Sequence, residues 1–104
     1  MDAIDLEASR TLTGRPLRHA ALLVLWHAAH PLTVGEVLSA IEAYGLEVGG
    51  ANPGKSLADA LGHECLRGRA SRVGRGVYAI GYLPTTTRRR IRARIARLAS
   101  ASAA

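Results

Sequence analysis

One stretch decides the fold of this chain: Leu32-Thr-Val-Gly-Glu-Val-Leu-Ser-Ala-Ile-Glu-Ala-Tyr-Gly-Leu46. Its Thr33 and Glu36 have the Thr-x-x-Glu spacing of a capping box, in which two side chains satisfy free backbone donors at a helix start. Apolar residues then recur at i, i+3, i+4 and i+7, the spacing of one helical face. Gly45 is placed to end the helix in the left-handed conformation. The stretch therefore predicts a short amphipathic helix with defined ends.

A longer helix is predicted before this stretch. Pro16 sits where a helix start tolerates proline, and Pro31 ends the helix just after His30. The residues between them are apolar on nearly every side, which is typical of a helix in the middle of a core. Its apolar positions are Leu17, Ala21, Leu22, Leu25, Trp26 and Ala29. Residues 1–14 are weakly patterned, and either a short helix or a loosely ordered arm fits them.

A third helix is expected downstream, after a loop of helix-breaking residues that ends at Gly54. It begins at about Lys55 or Ser56 and ends at Arg67. The segment Ser56-Leu-Ala-Asp59 resembles a capping box in which Asp replaces the usual Glu. The residues predicted to face inward are Leu57, Leu61 and Cys65.

A β-hairpin follows, with short strands at Ala70–Val73 and Val77–Ile80. The connection Gly74-Arg-Gly76 supplies glycines that can adopt the positive φ of a tight turn. The side chains predicted to cover the core are Val73, Tyr78 and Ile80.

The last predicted helix lies after Pro84 and combines an apolar stripe with a run of arginines. Ile91, Ile95 and Leu98 are spaced at i, i+4 and i+7. Three arrangements fit such a helix: the stripe packs on the domain and the arginines face DNA phosphates, the helix pairs with its copy in a homodimer, or it lies on an anionic membrane surface. We favour the first, and the narrow stripe without large aromatic residues disfavours the membrane.

Three helices followed by a two-stranded hairpin is the element order of a winged helix–turn–helix domain. The opening stretch, together with Asn52-Pro-Gly-Lys-Ser-Leu-Ala-Asp-Ala-Leu61 and Val73-Gly-Arg-Gly-Val-Tyr-Ala-Ile80, resembles the winged helix–turn–helix domains of the HARE type. That group includes the N-terminal domain of the bacterial RNA polymerase delta subunit. The likeness spans about residues 17–81. It implies a mainly α fold with a small β-hairpin wing and a role linked to nucleic acid, exercised through DNA or through protein contacts.

The predicted organisation has three parts: an arm at residues 1–14, the winged helix–turn–helix domain at 15–82, and a basic C-terminal helix with a frayed tail at 83–104.

The single cysteine, Cys65, excludes an intramolecular disulfide and favours a reducing compartment. The acidic start of the chain lacks the basic flank and apolar run of a secretory signal. We therefore expect a cytoplasmic protein, located at the nucleoid.

Charge is divided sharply along the chain. All eight acidic residues precede Arg67, whereas residues 67–104 contain ten arginines and no acid. A polyanion is the expected partner of such a basic segment.

The third helix and the wing are the candidate DNA-binding elements, as the resemblance implies. If Leu61 marks the centre of the buried face, the opposite side of the third helix faces the DNA, although an ordinary solvated face fits it almost as well. The candidate residues on this helix are Lys55, Ser56, His63 and Arg67. Those on the wing are Arg69, Arg72 and Arg75, and those on the last helix are Arg88, Arg89, Arg90, Arg92, Arg94 and Arg97. Asp59 would face phosphates unfavourably.

The sequence gives little support for a catalytic or a metal-binding function. Gly49-Gly-Ala-Asn-Pro-Gly-Lys-Ser56 matches the phosphate loop of nucleotide triphosphatases, but the long strand and second carboxylate that such an enzyme needs are missing from the pattern. The histidines lack the paired short spacings of a zinc site. No nucleophile and base are recognisable, so we expect no enzyme, no metal and no cofactor.

The sequence therefore predicts a duplex DNA-binding protein, a transcription regulator or nucleoid-associated factor that acts mainly through phosphate contacts. The alternative is a protein-interaction module that docks on an acidic partner of the transcription machinery. RNA is a less favoured ligand, because the chain lacks an aromatic platform on which bases could stack.

Overall fold

The structure is a computed structural model that describes residues 11–103, with side chains described for residues 11–100. Within this range the helices are α1 Gly14–Ala28, α2 Val34–Ala43, α3 Pro53–Leu66 and α4 Thr85–Ala103. The strands are β1 Thr11–Leu12, β2 Leu32–Thr33, β3 Glu47–Val48, β4 Ala70–Gly74 and β5 Val77–Ile80. The predicted mainly α class with a small antiparallel sheet is confirmed.

The strands form two small sheets. β2, β5 and β4 make an antiparallel sheet in that order, so the strand that precedes α2 pairs with the hairpin. β1 and β3 form a separate parallel pair. Strands β1, β2 and β3 were not predicted, because strands of two residues are too short to show an alternating pattern.

Leu12 on β1 is buried in the core, so the packed region begins before the predicted boundary at residue 15. Residues 1–10 of the predicted arm lie outside the described residues.

Helix α1 lies at the centre of the core, as its nearly uniform apolar surface predicts. All side chains from Ala20 to Leu25 are buried. The helix ends at Ala28 and not at His30, because Ala29 adopts the left-handed conformation with a φ of 59° and donates its N–H to the Leu25 carbonyl at 3.1 Å. Ala29, the last apolar position named in the predicted helix, is exposed.

Side chains fix the starts of α2 and α3. The Thr33 hydroxyl accepts the Glu36 N–H at 3.1 Å, and the Glu36 carboxylate accepts the Thr33 N–H at 2.8 Å, which confirms the predicted capping box. Helix α3 begins earlier than predicted, at Pro53, because the Asn52 side chain accepts the Lys55 N–H at 3.1 Å. The predicted cap at Ser56 is therefore wrong. Asparagine followed by proline at the first helical position is itself a strong start signal.

The hairpin contains a bulge close to its tip. Arg72 pairs with Tyr78, but the next pair joins Gly74 to Val77, so Val73 is an extra residue in β4. A bulge disturbs the alternation of side chains between the two faces of the sheet. Tyr78 is buried as predicted, whereas Val73 is 54% exposed and the prediction that it covers the core is wrong.

Helix α4 packs its apolar stripe on the domain. Ile91 and Ile95 are buried in the core, and Leu98 packs against it. The Arg88 guanidinium lies over the Trp26 ring, 4.2 Å from its centroid, which adds a cation–π contact to this junction. A homodimer through α4 stays a prediction, but it would have to use residues other than this stripe. In the described part of the chain, no helix has the length and apolar character needed to cross a membrane.

Candidate nucleic-acid interface

The buried face of α3 is not centred on Leu61, the position assumed in the sequence analysis. Leu57 and Leu61 are buried as predicted, but Ala60 and Glu64 are buried with them. This moves the centre of the buried face, so the side that points most directly to solvent carries Lys55, Asp59 and Leu66. The last of these residues is 89% exposed.

The other residues of the predicted α3 set lie on a flank of the helix. Ser56 and His63 line a cavity of about 330 Å³ together with Thr13 and Gly14 at the start of α1. Arg67 is exposed and follows Leu66, the last residue of α3, as its C-cap. Of the four predicted α3 contacts, one therefore lies on the outward side, two line the cavity beside α1, and one lies just beyond the C-terminal end of the helix.

Lys55 at the start of α3 is already engaged within the helix. Its ammonium group lies 3.2 Å from the Asp59 carboxylate, and both side chains are largely exposed. Such an exposed ion pair is weak and easily replaced by another partner. As it stands, the pair leaves the outward side of α3 with little net charge.

The β4–β5 hairpin, which we call the wing after its predicted role, presents two of its three predicted arginines to solvent. Arg72 on β4 is exposed, and so is Arg75 in the two-residue turn that follows the strand. Gly76 beside it has a φ of 68°, a left-handed conformation that glycine adopts without strain. The tip of the hairpin can therefore approach another molecule closely, with the Arg75 side chain as its most prominent charge.

Arg69, the third wing arginine, is occupied inside the protein. Its Nε donates a hydrogen bond to Oε1 of Glu64, a carboxylate with 0% exposure. The other carboxylate oxygen lies 3.1 Å from Nε of Arg18 on α1, an ion pair without hydrogen-bond geometry. We call these three residues the Arg18–Glu64–Arg69 cluster.

The cluster determines the charge of Glu64. Burial by itself would raise the pKa of this carboxyl. The hydrogen bond from Arg69, together with the charges of Arg69, Arg18 and Arg67, outweighs burial and holds the pKa below the ordinary glutamate value. Glu64 is therefore an anion at neutral pH. Its position three residues after Leu61, within the inward stripe, was the available signal that this acid is buried.

Backbone contacts hold Arg69 in place at the base of the wing. Its N–H donates to the Glu64 carbonyl at 3.0 Å, and its own carbonyl accepts the Gly81 N–H at 2.8 Å. A side chain at position 81 would bring a Cβ to 2.5 Å from the Gly68 carbonyl oxygen. Glycine is therefore required for the two chain segments to lie this close together.

His19 is a second buried polar residue that the sequence did not single out. It lies on α1 with 8% exposure, and its Nδ1 has no hydrogen-bond partner among the described residues. Burial, with the nearby positive charges of Arg94 and Arg69, lowers the pKa of His19 from 6.5 to about 4. His19 is therefore neutral at physiological pH.

The arginines of α4 are divided between the interior and the surface. Arg88 covers Trp26, and Arg94 is half-buried near His19. Those that are exposed and line neither of the two cavities are Arg89, Arg92 and Arg97. The predicted set of six α4 contacts therefore provides three side chains that are free to meet a ligand without rearrangement.

A second cavity, of about 250 Å³, lies between α1, the end of α3 and the first turns of α4. We call it the arginine cavity, after the arginines that line it: Arg15, Arg18, Arg67, Arg69 and Arg90. Three of them belong to the predicted DNA-binding set, but here they face one another across a small space and not an extended surface.

No family model matches this sequence, and no curated protein or solved structure is detectably similar to the chain. Among the described residues, no group of three or more His, Cys, Asp and Glu side chains is arranged to hold a metal ion. What the site does must therefore be inferred from its own geometry and charge.

Glu64→Gln removes the only charge that compensates Arg18 and Arg69 in the cluster. Breaking a buried ion pair is strongly destabilising because it leaves a buried charge without a partner. Because the two arginines keep some contact with water, we expect the free energy of unfolding to fall by about 3 kcal/mol, the lower end of the range for a broken buried ion pair. Urea unfolding at pH 7 measures it. Glu42→Gln, which makes the same change on an exposed side chain, should stay within about 0.5 kcal/mol of wild type, and equal losses in the two variants would contradict the role given to the cluster.

His19 should make stability depend on pH between its folded and unfolded pKa values. Its folded pKa of about 4 lies below the unfolded value of 6.5, so the unfolded state binds the proton first. Stability is fully present above pH 6.5 and is lost as the pH falls toward 4, by about 1–2 kcal/mol between pH 7 and pH 5. Urea unfolding over this range should show the loss in wild type and in His63→Gln. In His19→Gln, the free energy of unfolding should be nearly independent of pH over this range. If it falls as steeply with pH as in wild type, His19 is not the source of the pH dependence.

Proposed function

We propose that this protein binds duplex DNA as a winged helix–turn–helix domain and that most of its affinity comes from phosphate contacts. The observation that supports this best is the hairpin tip, where exposed Arg72 and Arg75 project from a strand held against α3. Arginine suits this task because its guanidinium matches phosphate geometry with two parallel donors. A transcription regulator or a nucleoid-associated factor fits such a surface.

The order of the elements supports the winged-helix part of the proposal. β2 lies between α1 and α2 and pairs with β5, so the chain runs helix, strand, helix, helix and then hairpin. This order, in which a strand before the helix pair completes the sheet of the wing, is that of winged helix–turn–helix domains. The resemblance to the HARE type is part of the same proposal.

In this arrangement α3 would enter the major groove with its outward side. That side offers Lys55 and Asp59, joined in an exposed ion pair, and the apolar Leu66. Such a set provides few donors for reading base edges. The proposal therefore includes weak sequence preference, with phosphate contacts positioning the protein and few base contacts specifying the site.

The exposed side of α4 adds a second basic surface, formed by Arg89, Arg92 and Arg97. With no acidic residue after Glu64, these charges have no partner on their own helix. Like charges on one helix face repel, and phosphates would relieve that repulsion. We expect this surface to add non-specific affinity, separately from the wing.

One observation favours the second candidate, docking on an acidic protein partner. Large apolar side chains are exposed close in sequence to the wing arginines: Leu66 at 89%, Tyr82 at 75% and Val73 at 54%. Protein interfaces combine apolar anchors with arginine in this way, and few residues then provide most of the affinity. Phosphate-dominated DNA binding needs no such anchors.

Arg75→Ala tests the role of the wing. We expect this variant to weaken binding to every duplex by a similar factor and to reduce the slope of log K against log salt by about 1, because one phosphate contact is lost. Fluorescence anisotropy with two labelled duplexes of unrelated sequence, at several salt concentrations, measures both quantities.

The matched control for the wing is Arg75→Lys, which keeps the charge and should keep most of the salt slope. Absence of wild-type binding even at low salt would overturn the proposal. No change in the salt slope for Arg75→Ala would mean that the hairpin tip does not contact phosphate and would favour the protein partner instead.

Asp59→Asn tests whether α3 faces the duplex. The substitution removes a negative charge from the outward side and frees Lys55 for phosphate, so the affinity should rise by about twofold to fivefold, the size of an exposed ion-pair interaction. Glu42→Gln makes the same change of charge on an exposed residue of α2 and should raise the affinity less. Equal gains in the same anisotropy assay would mean that only net charge matters and that α3 does not contact DNA.

A further inference from the structure

The arginine cavity combines a high density of positive charge with very little compensation. Of the five arginines that line it, Arg18 and Arg69 are paired with Glu64. Arg15, Arg67 and Arg90 form no ion pair with any described carboxylate. Side chains of like charge that face one small space are unfavourable unless an anion joins them. The cavity therefore has the electrostatics of a site whose ligand is negatively charged.

Two neutral groups in the wall are suited to the same kind of ligand. His19 is buried and uncharged, and its unpartnered Nδ1 belongs to a ring that lines the cavity. A neutral imidazole has one donor and one acceptor nitrogen, and the tautomer decides which of the two is Nδ1. Thr87 also lines the cavity, and a threonine hydroxyl can donate a hydrogen bond.

Helix ends strengthen the positive potential of this space. Arg15 lies in the first turn of α1 and Thr87 in the first turn of α4. The unsatisfied amides at helix starts carry partial positive charge and favour anions. Arg67 comes from the opposite, negative end of α3, where its guanidinium offsets the dipole of that helix.

Size limits the ligand to a small molecule. The volume of about 250 Å³ lies below the range typical of drug-sized ligands, and it accommodates a phosphate group with at most a small organic substituent. Guanidinium groups arranged around a phosphate can each give two parallel hydrogen bonds, which neither chloride nor a single carboxylate can match.

We infer that the arginine cavity is a binding site for a small phosphate-bearing anion, such as inorganic phosphate or a phosphate monoester. The site is distinct from the proposed DNA contacts of the wing. Arg69 lies at the base of β4 and Arg75 beyond its other end, so the cavity and the hairpin tip are separated by the length of the strand, about 15–20 Å. A DNA phosphate gripped by Arg75 does not at the same time fill the cavity.

The test uses the full chain and isothermal titration calorimetry with inorganic phosphate and with phosphoserine, at constant ionic strength maintained with chloride. Wild type should bind one phosphate per chain. Arg15→Gln should weaken this binding by about tenfold or more, since hydrogen bonds to charged groups are among the strong ones. Arg15 is exposed and forms no ion pair with a described carboxylate, so the variant should fold, as its urea unfolding curve would confirm.

Arg92→Gln is the matched control for phosphate binding, because it removes an exposed arginine that does not line the cavity. It should change the phosphate affinity by less than about twofold. A wild-type titration indistinguishable from one with chloride would overturn the inference, and so would equal losses in the two variants.

A duplex titration separates the two sources of phosphate. If the site takes a small anion, saturation with phosphate at fixed ionic strength should leave the affinity for duplex DNA unchanged. The opposite result has two parts. Duplex DNA displaces phosphate from the protein, and Arg15→Gln weakens duplex binding more than Arg92→Gln does. The cavity would then hold a backbone phosphate, and the assignment of a small anion would be wrong.

Discussion

A single buried carboxylate, Glu64, joins three parts of the molecule. It lies at the end of α3, pairs with Arg18 from the central helix α1, and accepts a hydrogen bond from Arg69 at the start of the wing. Its backbone carbonyl also accepts the Arg69 amide, so side chain and main chain fix the same neighbour. The angle at which the wing leaves α3 therefore depends on this anion. A hydrophobic side chain at position 64 would fill the space but would leave two guanidinium groups without a partner.

The arginines that make this chain so basic consequently serve two different purposes. Arg18, Arg69 and Arg88 contact an acid or an aromatic ring inside the domain, whereas Arg72 and Arg75 are exposed to solvent. Net charge alone therefore overstates the surface available to a polyanion. It also hides the cavity in which several guanidinium groups converge, a feature that depends on how α1, α3 and α4 pack and that has no counterpart in the linear distribution of charge.

Local signals in the sequence predicted local structure well. The Thr33–Glu36 capping box, the apolar α1 and the stripe of α4 all depend on residues within a few turns of one another, and each is present in the structure. The cap at Ser56 was predicted wrongly because Asn52, four residues earlier, and Pro53 supply a competing start signal. Val73 points outward because of a bulge, and a bulge is set by pairing with β5. The burial of Glu64 depends on arginines that lie 46 and 5 residues away in the chain, and the periodicity of α3 does not include them.

The buried cluster also has a thermal consequence. Hydration of charged groups carries a strongly negative entropy, so the free energy needed to remove Glu64 and its arginines from water falls as temperature rises. The apolar core, built without phenylalanine and mainly from aliphatic side chains, loses driving force when the protein is cooled. Both effects act in the same direction. A fold organised around a desolvated anion and a small aliphatic core is therefore weakened by cold from two independent sources.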